Sequence, residues 1–165
     1  MNAEPVRVNL QVATDAPGLP DEAEFAAWVN AAVVAGDTGS RANGSASLVT
    51  IRVVDDQESS ALNGDFRDQH KATNVLAFSA GAVVPDEEQG DDKELGDLAI
   101  CFDVVVSEAV EQAKPVAAHM AHLTVHGTLH LLGYDHQNDV DTKIMESLET
   151  RIMTKLGFPE PYGDL

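Results

Sequence analysis

The chain has 165 residues, 44 % of them apolar, with a single cysteine; this suits one globular domain over residues 1–165 and excludes an internal disulfide. Ten basic against 28 acidic residues give a formal charge of −18, which excludes general electrostatic attraction to nucleic acid and leaves only a locally positive cleft for such a role. No apolar stretch is long enough to cross a bilayer and the first residues lack a signal-peptide pattern, so a cytoplasmic protein without a membrane partner is expected.

Val6 to Ala13 alternates, with Val6, Val8, Leu10 and Val12 on one face, and predicts a half-buried strand. A turn-rich link, Thr14 to Pro20, precedes a helix. Asp21, Glu22 and Glu24 suit its first turn, its apolar stripe is Phe25, Trp28, Val29, Ala32 and Val33, and Gly36 closes it. Asp37 to Ser45 reads as a polar loop and Leu48 to Val54 as a second strand. Asp55 with Glu58 forms a capping-box pattern opening a short helix that ends near Gly64. Of the stretch Phe66 to Ser79, the first half reads as a partly basic loop and the second as a third strand.

Pro85 to Glu94 reads as an acidic loop and Leu98 to Phe102 as a fourth strand, with Cys101 a buried thiol rather than a nucleophile. Asp103 is placed to cap a helix with the stripe Val106, Ala109, Val110 and Ala113. Pro115 suits the first position of the next helix, Val116 to Leu132, whose apolar character almost all round predicts a buried central element. The last helix, Val140 to Leu156, is expected to pack through Ile144, Leu148, Ile152 and Leu156, followed by a loose tail over 158–165. This order predicts an α+β domain: a mixed four-stranded sheet packed with helices around a central buried helix.

That central helix ends in His126-Gly-Thr-Leu-His130-Leu-Leu-Gly133-Tyr-Asp-His136. Histidines four apart share a helix face, and glycine readily supplies the left-handed residue at which a helix stops. His136 then follows the turn. Three neutral imidazoles with an open fourth position form the ligand set of a catalytic zinc, although three histidines accept several divalent ions. His122 and His126 are also four apart, but His136 lies beyond Gly133, and His122 is about 12 Å further back by helical rise. The expected ligands of one zinc ion per chain are therefore His126, His130 and His136, with structural roles for His119 and His122. Asp135 is placed to orient a ligand histidine or stabilise the turn. The same spacing occurs in metzincin proteases, which carry Glu directly after the first His; here that residue is Gly127.

The histidine motif, preceded by Arg67, by Thr73-Asn74-Val75-Leu76-x-Phe78 and by Leu95-Gly96-Asp97-Leu98, closely resembles the YbeY family of bacterial ribosomal RNA maturation factors. The resemblance spans about Asp55 to Tyr162. It implies a single-strand-specific, metal-dependent endoribonuclease in ribosomal RNA maturation and ribosome quality control, with zinc on His126, His130 and His136 and Arg67 as the catalytic residue in the cleft. Gln69 stands where some relatives have Lys, which shifts substrate grip toward Arg67 and Lys71; Ala77 and Ser79 replace a common Ser and Pro.

On that reading a zinc-bound water attacks the phosphodiester, Arg67 offers a planar fork of donors to the phosphate, and Asn74 adds a hydrogen bond. The expected partners are single-stranded or ribosomal RNA, with ribosomal proteins or assembly factors beside it. Two other readings stand: a non-enzymatic ribosome-assembly factor with a structural zinc, favoured by the −18 charge, and a metalloprotease, disfavoured by Gly127. The oligomeric state, the RNA site and the nucleophile, water or 2′-hydroxyl, are not encoded in any motif.

Overall fold

A computed structural model describes residues 6–36, 47–67, 73–79, 93–134 and 138–161. Its elements are β1 (Arg7–Val12), α1 (Glu22–Gly36), β2 (Ser47–Val54), α2 (Asp56–Arg67), β3 (Val75–Ser79), β4 (Lys93–Cys101), α3 (Phe102–Glu111), α4 (Val116–Leu131) and α5 (Asp139–Lys155). The strands form one mixed sheet in the order β1-β2-β4-β3, parallel throughout except for the β3–β4 pair. The expected α+β architecture is therefore present.

Side-chain alternation decides what covers each face. Val8, Val49, Ile51, Val53, Leu98 and Ile100 are buried on the face that packs against α1 and α4. The registers Val8↔Val49, Ile51↔Leu98 and Val75↔Ile100 carry that apolar row across all four strands. The opposite face holds Arg52, which pairs with Glu58 of α2, and Cys101, whose thiol donates to Asp56 at 3.2 Å. Burial pushes that thiol up to about 11, so it is a neutral core group as expected. The Ser59 hydroxyl, also buried, donates to the Thr73 carbonyl and accepts from the Thr73 amide, both at 3.0 Å, tying α2 to the start of β3.

Helix α1 buries the stripe read from its sequence, with Phe25 and Trp28 edge to face at 5.4 Å. The Asp21 carboxylate accepts from the Glu24 amide at 2.8 Å, and Asn30 bonds both backbone groups of Val6, fixing the entry to β1. Val12 is exposed, so the buried row of β1 fades toward its end.

Several boundaries differ from the sequence reading. Helix α2 is capped by Asp55 but continues past Gly64 to Arg67, so Arg67 ends a helix rather than sitting in a loop. One interior glycine costs roughly 1 kcal/mol, which the anchoring of Ser59 and the buried Asn63 offsets. Strand β4 begins at Lys93, taking the end of the expected acidic loop, because its pairing with β2 extends back to Ser47↔Lys93, beyond the Gly96–Ile100 stretch that β3 also pairs. It runs directly into α3, whose N-cap is Cys101 rather than Asp103, and the buried residues of α3 are Phe102, Val105 and Ala109. Val110 is exposed. Pro115 caps α4 from outside its first turn.

Helix α5 buries Met145, Leu148, Glu149, Ile152 and Met153, leaving Ile144 exposed; Asn138 caps it by accepting from the Asp141 amide at 2.9 Å. Phe158 is not loose: its ring lies 6.4 Å from Trp28. Helix α4 is buried along nearly its whole length, from Ala118 to Leu129 apart from His126, as its composition predicts. The expected loop over 37–45, Lys71, most of Pro85–Glu94, Asp135, His136 and residues 162–165 lie outside the described residues.

Candidate metal centre

Helix α4 lies against β3 and β4 with Gly127 facing the sheet. A Cβ at that position would come within 2.7 Å of Leu98 Cδ2 and 3.4 Å of Val75 Cγ2. The residue after the first motif histidine is thus turned into the core. The hydroxyls of Thr124 and Thr128 are buried and donate to the carbonyls four residues back, so neither is left unsatisfied.

Along one side of α4 stand His119, His122, His126 and His130. The Nε2 atoms of His126 and His130 face one another at 3.1 Å. Two imidazole nitrogens on a tetrahedral zinc, each about 2.0–2.1 Å from it, are about 3.3 Å apart, so this donor pair fits such an ion. Among the described residues no group of three His, Cys, Asp or Glu side chains is arranged to hold a metal. The expected third ligand, His136, lies outside those residues.

The helix end is built as the motif predicts. The Tyr134 amide bonds the Leu129 carbonyl and the Gly133 amide the His130 carbonyl, both at 3.0 Å, with Gly133 at φ 107°. This is a Schellman closure, and it ends the helix at the glycine of the motif. The Tyr134 hydroxyl donates to the Gly36 carbonyl at 3.0 Å, locking the turn to the end of α1.

Two carboxylates that sequence reasoning missed meet the histidine row. Glu149 of α5 is fully buried, with Oε1 at 2.6 Å from Nε2 of His122 and 3.2 Å from Nδ1 of His126. Burial alone would raise its carboxyl; the hydrogen bonds from His122 and His126 outweigh it and hold the group at about 2. Glu108 of α3 meets Nε2 of His119 at 2.8 Å. Burial lowers His119 against the pull of that carboxylate. The available signal for Glu149 was an acid at the apolar spacing of α5, between Met145 and Ile152.

The remaining expected residues are spread out. Asn74 precedes β3; its Nδ2 donates to Glu108 at 3.1 Å and its Oδ1 accepts from the Val75 amide at 2.6 Å. It therefore belongs to the His119 end of the row, about 10 Å of helical rise before His126. Arg67 is the last residue of α2.

A family model described as Endoribonuclease YbeY matches residues 11–157. Endoribonuclease YbeY from Alcanivorax borkumensis is 45 % identical over 164 residues, covering 99 % of this chain and 90 % of the relative. The solution structure of TM1509 from Thermotoga maritima superposes with a TM-score of 0.55 at 19 % identity, covering 94 % of this chain and 99 % of that one. The last of these is a likeness of fold alone.

Proposed function

This chain belongs to the YbeY family of endoribonucleases, and on that ground we propose that it is a metal-dependent endoribonuclease, selective for single strands and acting in ribosomal RNA maturation and ribosome quality control. The observation that carries the metal is the convergence of the His126 and His130 Nε2 atoms at 3.1 Å. His126, His130 and His136 would hold one zinc ion, which supplies Lewis acidity toward water and the phosphoryl oxygen.

The chain's own residues do the rest. The guanidinium of Arg67 pairs with the scissile phosphate and stabilises the charge that grows in the transition state. Lys71 adds a cation for the backbone of the RNA. Asn74 uses one amide hydrogen on Glu108 and offers the other to the substrate. Gly127 brings no general base, so proton removal from the attacking water would fall to the metal itself, to Asp135 or to the substrate phosphate. A cleft of this kind supplies the local positive charge that the net −18 lacks.

Zinc-loaded protein should cut single-stranded RNA and spare duplex RNA, and both chelation and His126→Ala should abolish cutting. Well-folded, zinc-loaded protein that cuts neither would favour a second reading, an assembly factor that binds basic ribosomal proteins, to which the −18 charge is suited. The protease reading is disfavoured by Gly127, which packs on Leu98 instead of carrying a base.

A further inference from the structure

Glu149 occupies a costly position. An ionised carboxylate removed from water needs partners that replace its hydration, and a single buried charge without them is strongly destabilising. Glu149 sits in the apolar stripe of α5 between Met145 and Ile152, is fully buried, and turns Oε1 to two imidazoles of α4. An apolar side chain would fill the same stripe at no electrostatic cost. Its presence asks for a role that packing does not supply.

The donor and acceptor inventory points to one. An ionised carboxylate only accepts hydrogen bonds, so the ring nitrogens that face it carry the protons. His126 then donates through Nδ1, and in the neutral ring its lone pair is on Nε2, the atom 3.1 Å from Nε2 of His130. A metal ligand needs that lone pair. His122 meets the same carboxylate through Nε2 at 2.6 Å and is committed there. The four-residue spacing of His122 and His126 therefore yields one brace and one ligand, not a second ligand pair.

We propose that Glu149 is a positioning residue for the metal centre: its carboxylate, braced by His122, holds His126 in the Nδ1–H tautomer and at the ring angle that presents Nε2 beside His130. Helix α5 thereby becomes part of the site without supplying a ligand. The inference deepens the metal-dependent reading above and rests on it. Outer partners of this kind typically change metal affinity by about 10–100-fold.

The test uses zinc alone as the probe, in the full chain and in Glu149→Gln and Glu149→Ala. Zinc affinity is read by competition with a chromophoric chelator, the His126 tautomer by long-range proton–nitrogen NMR of the metal-free protein, and folding by circular dichroism and melting. The wild type should show His126 protonated at Nδ1. Glu149→Ala should lose about 10–100-fold in zinc affinity and mix the tautomers. Glu149→Gln, nearly isosteric and still an acceptor but uncharged, should fall between the two; it also carries the test if the alanine variant fails to fold. An Nε2-protonated His126 in the wild type would overturn the proposal. So would a Glu149→Gln protein that melts lower yet binds zinc as tightly as the wild type, which would mark the residue as structural only. A wild type that binds zinc tightly beside unaffected variants refutes this inference and leaves the metal reading standing; a wild type that binds no zinc removes both.

Discussion

Gly127 and Leu98 touch where a protease of the same histidine spacing would carry its catalytic glutamate. A Cβ on Gly127 would lie 2.7 Å from Leu98 Cδ2 and 3.3 Å from Leu98 Cδ1, so the absence of a side chain lets α4 settle onto β4. Gly127→Ala gains about 1 kcal/mol of helix propensity and costs about 1–3 kcal/mol of overpacking against a fully buried Leu98. Chemical denaturation should find it between neutral and about 2 kcal/mol less stable. Gly127→Glu drives a carboxylate into that contact and should lose more than about 3 kcal/mol. Neither variant should gain peptidase activity; a stable Gly127→Glu protein that cleaves peptides would show that this position faces the metal and not the sheet.

Arg67 closes α2, a helix anchored to the other face of the sheet through Glu58 and Ser59. Those anchors lie at the start and middle of the helix, so truncating its last residue should leave them in place. Arg67→Ala should lower single-strand cleavage by about 10²–10³-fold, as removal of a donor aimed at transition-state charge does, with zinc content and melting temperature unchanged. Cleavage at the wild-type rate would take Arg67 out of the mechanism.

Gly133 stands at φ 107°, and among the described residues nothing lies within 4 Å of a Cβ placed on it, so a side chain there meets backbone strain first. Gly133→Ala should cost about 1–2 kcal/mol, a fall in melting temperature of about 2–8 °C for a chain of this size. On the proposed ligand set, which includes His136 beyond this turn, the larger effect is expected on the metal. Zinc affinity should fall further than stability does, and calorimetry on the same sample compares them directly. A variant that melts lower but keeps its zinc affinity would mean that His136 reaches the metal by a path independent of this turn.

Local rules read well where one force dominates. The stripe Phe25, Trp28, Val29, Ala32 and Val33 is apolar on one side only, and α1 buries it as read. The all-round apolar α4 is central because no face of it suits water. The misplacements arise where a neighbour sets the phase. In α3 the strand runs into the helix without a linker, so β4 decides which residues point inward and Val110 is turned out. In α5 the buried face includes Glu149, and an acid within the stripe hides it from a reading that sorts residues by polarity, so Ile144 is favoured wrongly over Met145. At the site, His126 and His130 were legible as a same-face pair, because their meeting needs only helical spacing. The carboxylate behind them comes from a helix 23 residues away in sequence, and no local spacing announces it.

That carboxylate also makes the stability of the metal-free protein depend on acid in a defined direction. Glu149 is held at about 2 against an ordinary 4.5, because the hydrogen bonds from His122 and His126 overcome the upward push of burial. The folded value lies below the unfolded one, so the contribution is fully present above about pH 4.5 and is lost as pH falls toward 2. At about 1.4 kcal/mol for each tenfold change in proton affinity, it amounts to about 3 kcal/mol. Other carboxylates titrate in the same range, so the informative quantity is the difference between the wild type and Glu149→Gln, which does not titrate at this site. Urea midpoints across pH 2–5 should show a wild-type advantage that shrinks steadily below pH 4.5. An advantage that persists unchanged to pH 2 would mean that the ionised form of Glu149 is not what holds α5 to the histidine row.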